Sequence, residues 1–288
     1  MSDPGSFRAE FIREKTEPVS GVVQKPLTLF ERLANLGWLR KTILLAVLAL
    51  IWQVYAVSLN NPLVFPTFTA TIQAFFSAVL DGGLLGKAWH SIEVLLIGYA
   101  IGLACAAALT ILAITTRLGA DLLETLTSMF NPLPAIALLP LALIWFGLGE
   151  GSIIFVLVHS VLWAVALNTH SGFMGVSQTL RMVGRNYGLR GLRYVYSILV
   201  PAAFPSILTG LKVGWAFAWR TLIAAELVFG VSSGSGGLGW FIYESKNLLD
   251  IPSVFAGLFT IIIVGLLVEN VVFHNIEIRT VRKWGMQH

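Results

Sequence analysis

The run TILLAVLALIWQVYAVSL, from Thr42 to Leu59, contains no charged side chain, and such a run leaves few options for a fold. A helix needs about 20 predominantly apolar residues to cross the hydrocarbon core, where every backbone donor and acceptor must be paired within the segment. Further candidate spans are Ile92–Ile114, Ala135–Phe146, Ile153–Thr169, Ile207–Phe229 and Val254–Phe273. The stretch Ala135–Phe146 is short for a crossing, and Pro134 and Pro140 bracket its first half, so a bent span or one extended by its flanks is expected. Six spans is the reading, with five as the alternative. The chain is 288 residues long, 56% hydrophobic and 12% charged, with a mean hydropathy of +0.80. A soluble domain carries roughly 25% charged residues, so most of this chain's outside must face lipid. The fold class is an all-α integral membrane protein.

Lysine and arginine set the expected orientation. Arg8, Arg13, Lys15, Lys25, Arg32, Arg40, Lys41, Arg117, Arg181, Arg185, Arg190, Arg193, Arg279, Arg282 and Lys283 fall on one side of the spans. The opposite loops hold Lys87 and Lys246. By the positive-inside rule both termini are cytoplasmic, and the high pI reflects orientation rather than a nucleic-acid surface. The expected organisation is a cytoplasmic arm at residues 1–41, a membrane domain at 42–273 with a cytoplasmic loop at about 171–204, and a cytoplasmic tail at 274–288. The arm is long, polar and mixed in charge, unlike a secretory signal, so the first apolar run reads as a retained anchor. The single cysteine, Cys105, rules out an intramolecular disulfide and a structural zinc cluster.

On the outer side, FPTFTATIQAFFSAVL (Phe65 to Leu80) predicts an amphipathic interfacial helix capped by Thr67, with Ile72, Phe75, Phe76 and Val79 at helical spacing. Gly98 and Gly102, four residues apart, would let helices approach closely, either as ordinary bundle packing, which is preferred, or as a dimer seam.

Ionisable residues inside spans are costly and therefore functional candidates. Lys212, Trp219, Ile223, Glu226 and Gly230 fall near one helical face, with Arg220 at its flank. One reading makes this face a translocation path, with Trp219 as apolar wall and Arg220 or Lys212 attracting an anion. The other has Lys212 reaching to the cytoplasmic interface and Arg220 and Glu226 holding helices together. Glu93 and Glu269 lie toward span ends and read as anchors. His159 and His170 are placed poorly for a shared metal, and no metal site is expected. In FGVSSGSGGLGWFIYES (Phe229 to Ser245), Gly236, Gly237 and Gly239 suggest an outer gate or a seat for a solute-binding protein, or else a plain turn. No G-x-x-x-x-G-K-[ST] phosphate loop occurs in the chain.

The stretch RMVGRNYGLRGLRYVYSILVPAAFP, Arg181 to Pro205, has four arginines and no acidic residue. Gly184, Gly188 and Gly191 allow sharp turns, and Leu189, Leu192, Val195, Tyr196 and Leu199 share a helical face. A short helix lying on the cytoplasmic surface is expected, either anchored to anionic headgroups or docked on a partner. This stretch resembles the coupling loop of ABC-importer permeases, whose pattern is Glu-Ala-Ala, a Gly four places on, and Ile-x-Leu-Pro. Met182, Val183 and Gly184 occupy the opening positions, and Gly188, Ile198, Val200 and Pro201 follow in register. NPLPAIALLPLALIWFGLGE (Asn131 to Glu150), PAAFPSILTGLKVGWAFAWRTLIAAEL (Pro201 to Leu227) and GGLGWFI (Gly236 to Ile242) resemble the nitrate/sulfonate/taurine branch. The resemblance covers most of the chain after about Leu39.

The resemblance implies a type I importer permease fold, used as a homodimer of six-helix subunits in a bacterial inner membrane. Each coupling helix would sit on one of two copies of a separate ATPase that holds ATP and magnesium. An external solute-binding protein would deliver the cargo, and this chain needs no cofactor of its own. The coupling contacts it implies are Met182, Val183, Gly184, Tyr187, Gly188, Leu189, Arg190, Ile198 and Pro201. The cargo would be a small anion of taurine, alkanesulfonate or nitrate type. Bicarbonate, cyanate, aromatic carboxylates and vitamin precursors stay open. A gradient-driven secondary transporter or channel is the competing reading, since Glu226 and Arg220 would suit it. Few spans, no evident inverted repeat and the coupling-loop register count against it. A membrane enzyme ranks third, because no nucleophile–base pair or metal cluster is evident.

Overall fold

A computed structural model describes residues 36–81, 83–229 and 236–283. Most of the expected N-terminal arm and the last residues of the tail lie outside these ranges. By contacts the chain divides into residues 1–51 and 52–288. In the first unit the described residues are mainly the opening turns of helix α1 (Gly37–Leu59). Ile43, Leu44, Leu45 and Leu48 there are exposed, as suits a lipid-facing segment.

The described residues are almost entirely helical, with no strand among them. In the second unit the end of α1 is followed by α2 (Phe68–Leu80), whose N-cap Thr67 accepts from the Ala70 N–H. Trp52 donates its indole N–H to the Pro66 carbonyl, tying the α1 end to the turn before α2. Helix α3 (Leu84–Thr115) then packs against α6 (Glu150–Met174), and α6 packs against α9 (Val200–Phe229). These three long helices enclose the main core, with Leu95, Ala106, Leu157, Val161, Ala218 and Leu222 fully buried. Gly98 and Gly102 face α6: a Cβ at either would press on Leu157 or Val161. The small pair therefore serves packing within the chain.

Between α3 and α6 the chain forms α4 (Arg117–Phe130), a 3-10 turn at Ala135–Leu138 and α5 (Leu139–Phe146). The two arms meet at 88°. The short third span is thus the second arm of a bent pair. Pro132 and Pro134 explain the corner, because two nearby prolines remove backbone donors and exclude a continuous helix. Helix α4 is an element the sequence reading did not anticipate, although Thr116 signals it by capping the Gly119 N–H. Five described helices are long and apolar enough to span a membrane, or six if the bent pair is one crossing.

Two boundaries differ from expectation. The fifth span begins well before Ile207: α8 (Gly191–Tyr194) and a π turn at Val195–Leu199 run directly into α9. The widened turn precedes Pro201 and makes room for its ring, as π-bulges do. After α10 (Leu238–Asn247), helix α11 (Ile251–Leu267) continues through π turns and α12 (His274–Glu277) to Arg282 rather than yielding to a tail at residue 274. Val281 is buried with Leu208 and Phe273, and Lys212 Nζ meets Glu277 Oε2 at 2.6 Å, so this extension is bound to α9.

Candidate functional site

The arginine stretch forms its surface helix earlier than expected. Helix α7 spans Gln178–Asn186, capped by Ser177, whose side chain accepts from the Leu180 N–H. Residues 191–199, expected to form that helix, are instead the first turns of the fifth span. Val195 and Leu199 bury against Phe173, Val176 and Ala203, while Leu192 and Tyr196 are exposed. The apolar spacing fitted either placement; the caps decide it.

Gly188 ends α7. Its φ is +73°, the left-handed region that a side chain resists. Its N–H bonds the Arg185 carbonyl at 2.9 Å and the Leu189 N–H bonds the Gly184 carbonyl at 3.0 Å, a Schellman closure. Gly184 is buried against Tyr194 and Ile198, and a Cβ there would crowd both. Arg181 donates to the Val176 carbonyl at 3.1 Å and to the Phe173 carbonyl, closing the C-terminal end of α6. One of the four arginines is thus committed to holding the loop. The outward face carries Met182, Val183 and Tyr187, all exposed and Tyr187 at 82%, with Arg185 and Arg190 also exposed. Leu189 is half-buried and Pro201 exposed.

The second cluster lies near the opposite end of the long helices. Glu226 is 5% exposed. Ser91 on α3 donates to its Oε1 at 2.7 Å, and the Gly239 N–H donates to its Oε2 at 2.8 Å. The Leu238 N–H in turn donates to Ser91 Oγ at 2.8 Å. The Glu226 carboxyl group and the serine together cap the start of α10, accepting from N–H groups that a helix N-terminus leaves open. Backbone approaches this close require glycine: a Cβ on Gly237 would collide with Ser91 and the Glu226 carboxylate, and one on Gly239 with Glu226 and the α9 backbone. Gly236 lies against Trp240. The described glycines therefore form a clamp that joins α3, α9 and α10; Gly230 and the rest of the loop to Ser235 lie outside the described residues. Ser91 was not singled out from the sequence, since nothing local marks a partner so distant along the chain.

The face expected to line a path is divided. Trp219, Ile223 and Glu226 are buried within the chain. Lys212 is paired with Glu277, and with Trp219, Arg220 and Glu269 it borders a cavity of about 210 Å³. Arg220 is exposed and also opens onto a larger cavity of about 340 Å³ between α6, α9 and the bent pair. Arg220 and Glu226 do not pair with each other.

Comparison with known proteins identifies the family. Residues 98–276 match the family model described as "Binding-protein-dependent transport system inner membrane component". A protein of Methanocaldococcus jannaschii with the provisional description of an ABC transporter permease is 34% identical over 228 residues, covering 78% of this chain and 84% of that relative. The nitrate import permease protein NrtB of Synechocystis is 30% identical, with 80% and 85% covered. The taurine transport system permease protein TauC of Escherichia coli is 30% identical, with 77% and 67% covered. The long helices, the surface helix between α6 and α9, and a match over more than half the chain lead to one conclusion: this multi-pass membrane protein belongs to the family of binding-protein-dependent transport system inner membrane components, as a permease subunit of an ABC importer.

Proposed function

We propose that this subunit passes a small anion of sulfonate or nitrate type into the cytoplasm, as a homodimer driven through α7 by two copies of a separate ATPase. Family membership already implies an ATPase and a binding protein as partners; the copy number, cargo and contact residues are the proposal. The observation that carries it is the construction of α7. Both ends are fixed by caps, Gly184 is wedged on Tyr194 and Ile198, and those residues lead directly into α9. A force applied at Met182, Val183 and Tyr187 would therefore pass into the long helix bearing Arg220 and Glu226. Exposed apolar residues beside Arg185 and Arg190 suit a protein groove better than headgroups alone.

ATP and magnesium belong to the partner in this reading, because the chain has no phosphate loop. The basic residues support both termini, and α7, on the cytoplasmic side. The Glu226 clamp then lies outward, and α10 would be released when an outer gate opens. An exposed Arg220 on a spanning helix is costly against lipid, so it supports a second copy or a water-filled path beside α9. The cargo class follows the relatives' names, nitrate and taurine.

The test is uptake of labelled taurine and of nitrate by proteoliposomes holding the permease, its copurifying ATPase and the binding protein. Uptake should require ATP and persist when ion gradients are collapsed. Uptake without ATP that disappears with the gradient would establish a secondary transporter instead.

A further inference from the structure

The cavity beside Arg220 is lined with hydrogen-bond donors that lack acceptors. Buried polar groups are normally paired. Here the Trp163 indole N–H and both ring nitrogens of His159 are buried without a partner among the described residues, and Trp163 is 7% exposed. All of them border the cavity, together with Ser160, Arg220 and Thr221. Trp163 stacks on Phe130 with ring centroids 5.5 Å apart and planes 10° from parallel, which holds its N–H in one direction. The Ser160 and Thr221 hydroxyls are 2.7 Å apart; that bond uses one of their two hydrogens and leaves the other for a ligand. Arg220 makes no hydrogen bond or ion pair among the described residues.

The donor inventory defines the ligand. An indole N–H and a guanidinium only donate, and none of the described lining residues is acidic. Such a chamber disfavours cations and suits an acceptor-only group with several oxygens, which a guanidinium can grip with two parallel bonds. A volume of about 340 Å³ is at the small end of ligand pockets, which run from about 300 to 1,000 Å³. His159 lies about 14 Å along α6 from Glu150 at 1.5 Å per residue, near the middle of a hydrocarbon core about 30 Å thick. Lipid phosphates at the interface are too far away to fill it.

We propose that this chamber is an oxyanion site within the permease, where the sulfonate or nitrate group of the cargo rests on Arg220, Trp163 Nε1 and the Ser160–Thr221 hydroxyls, with His159 as a further donor. It rests on the anion-importer reading and adds a place where the permease itself selects charge.

The experiment is calorimetric titration of the permease with its copurifying ATPase, in phosphatidylcholine nanodiscs without binding protein or ATP. The probes are methanesulfonate and its neutral isostere dimethyl sulfone. Saturable methanesulfonate binding is expected, with no measurable dimethyl sulfone binding. Arg220→Gln should weaken it at least tenfold. Trp163→Phe, which keeps the ring on Phe130 and removes only the N–H, should weaken it severalfold. No saturable binding, equal binding of the two probes, or binding unchanged in both variants would overturn the site. Because no turnover is needed, that failure is separable from failure of the importer reading, which would appear as absent ATP-driven uptake.

Discussion

Two polar clusters lie within the long helices, and they differ in whether they are satisfied. Around Glu226 every named group has a partner: Ser91, the Leu238 N–H and the Gly239 N–H account for one another and for the carboxylate. Around Arg220 the Trp163 indole N–H and both His159 ring nitrogens are left without a partner among the described residues. A closed network holds helices in place, since losing one member strands the others. An open one contributes little to folding and is available to a ligand. Charge inside a membrane protein is therefore a poor guide to function until its partners are counted.

The comparison can be broken most forcefully at the clamp. Glu226→Ala would strand Ser91 and the start of α10, costing on the order of 3 kcal/mol from two lost hydrogen bonds and their orphaned buried donors; a fall in thermal midpoint of the purified protein measures it. Glu226→Gln keeps one carbonyl acceptor and should lose roughly half as much, so equal losses would mean that shape rather than hydrogen bonding matters there. Gly237→Ala should destabilise like Glu226→Ala, since the new methyl displaces the same carboxylate. At the open cluster the order inverts. Arg220→Gln should leave the thermal midpoint within the scatter of surface substitutions, about 0.5 kcal/mol, while anion uptake falls at least tenfold. A large loss of stability there would show that Arg220 is structural after all. The smallest effect is expected from Lys212→Gln, since a half-exposed ion pair contributes less than about 1 kcal/mol.

The long apolar helices were legible because lipid demands runs of apolar residues that no other environment requires. The surface helix was legible as a feature but not in position. Leu189 to Leu199 carries a convincing apolar face, yet that face belongs to the root of α9, and the true helix is defined by Ser177 at one end and Gly188 at the other. The bent pair was half visible. Pro134 and Pro140 marked a short span as bent or extended, while α4 was hidden by its mixed composition. The clamp was not legible from local pattern, since Ser91 and Glu226 lie on different helices and meet only through tertiary packing. The glycines at 236, 237 and 239 read as an outer gate, a seat for a binding protein or a plain turn, and local pattern gave no sign of the close approaches that Gly237 and Gly239 permit. Arg181 looked like part of a basic patch and instead closes the end of α6.

The central claim is that α7 is where an ATPase acts on this permease, and site-directed cross-linking tests it most directly. With Cys105, the free and exposed thiol, replaced by Ser, Tyr187→Cys and, at the opposite end, Leu85→Cys would be compared in native membranes using a short bifunctional thiol reagent. The account predicts a cross-link from position 187 to an ATPase subunit, altered by ATP, and none to that subunit from position 85. Position 187 failing to link while the ATPase still copurifies would contradict it and move the coupling contact elsewhere.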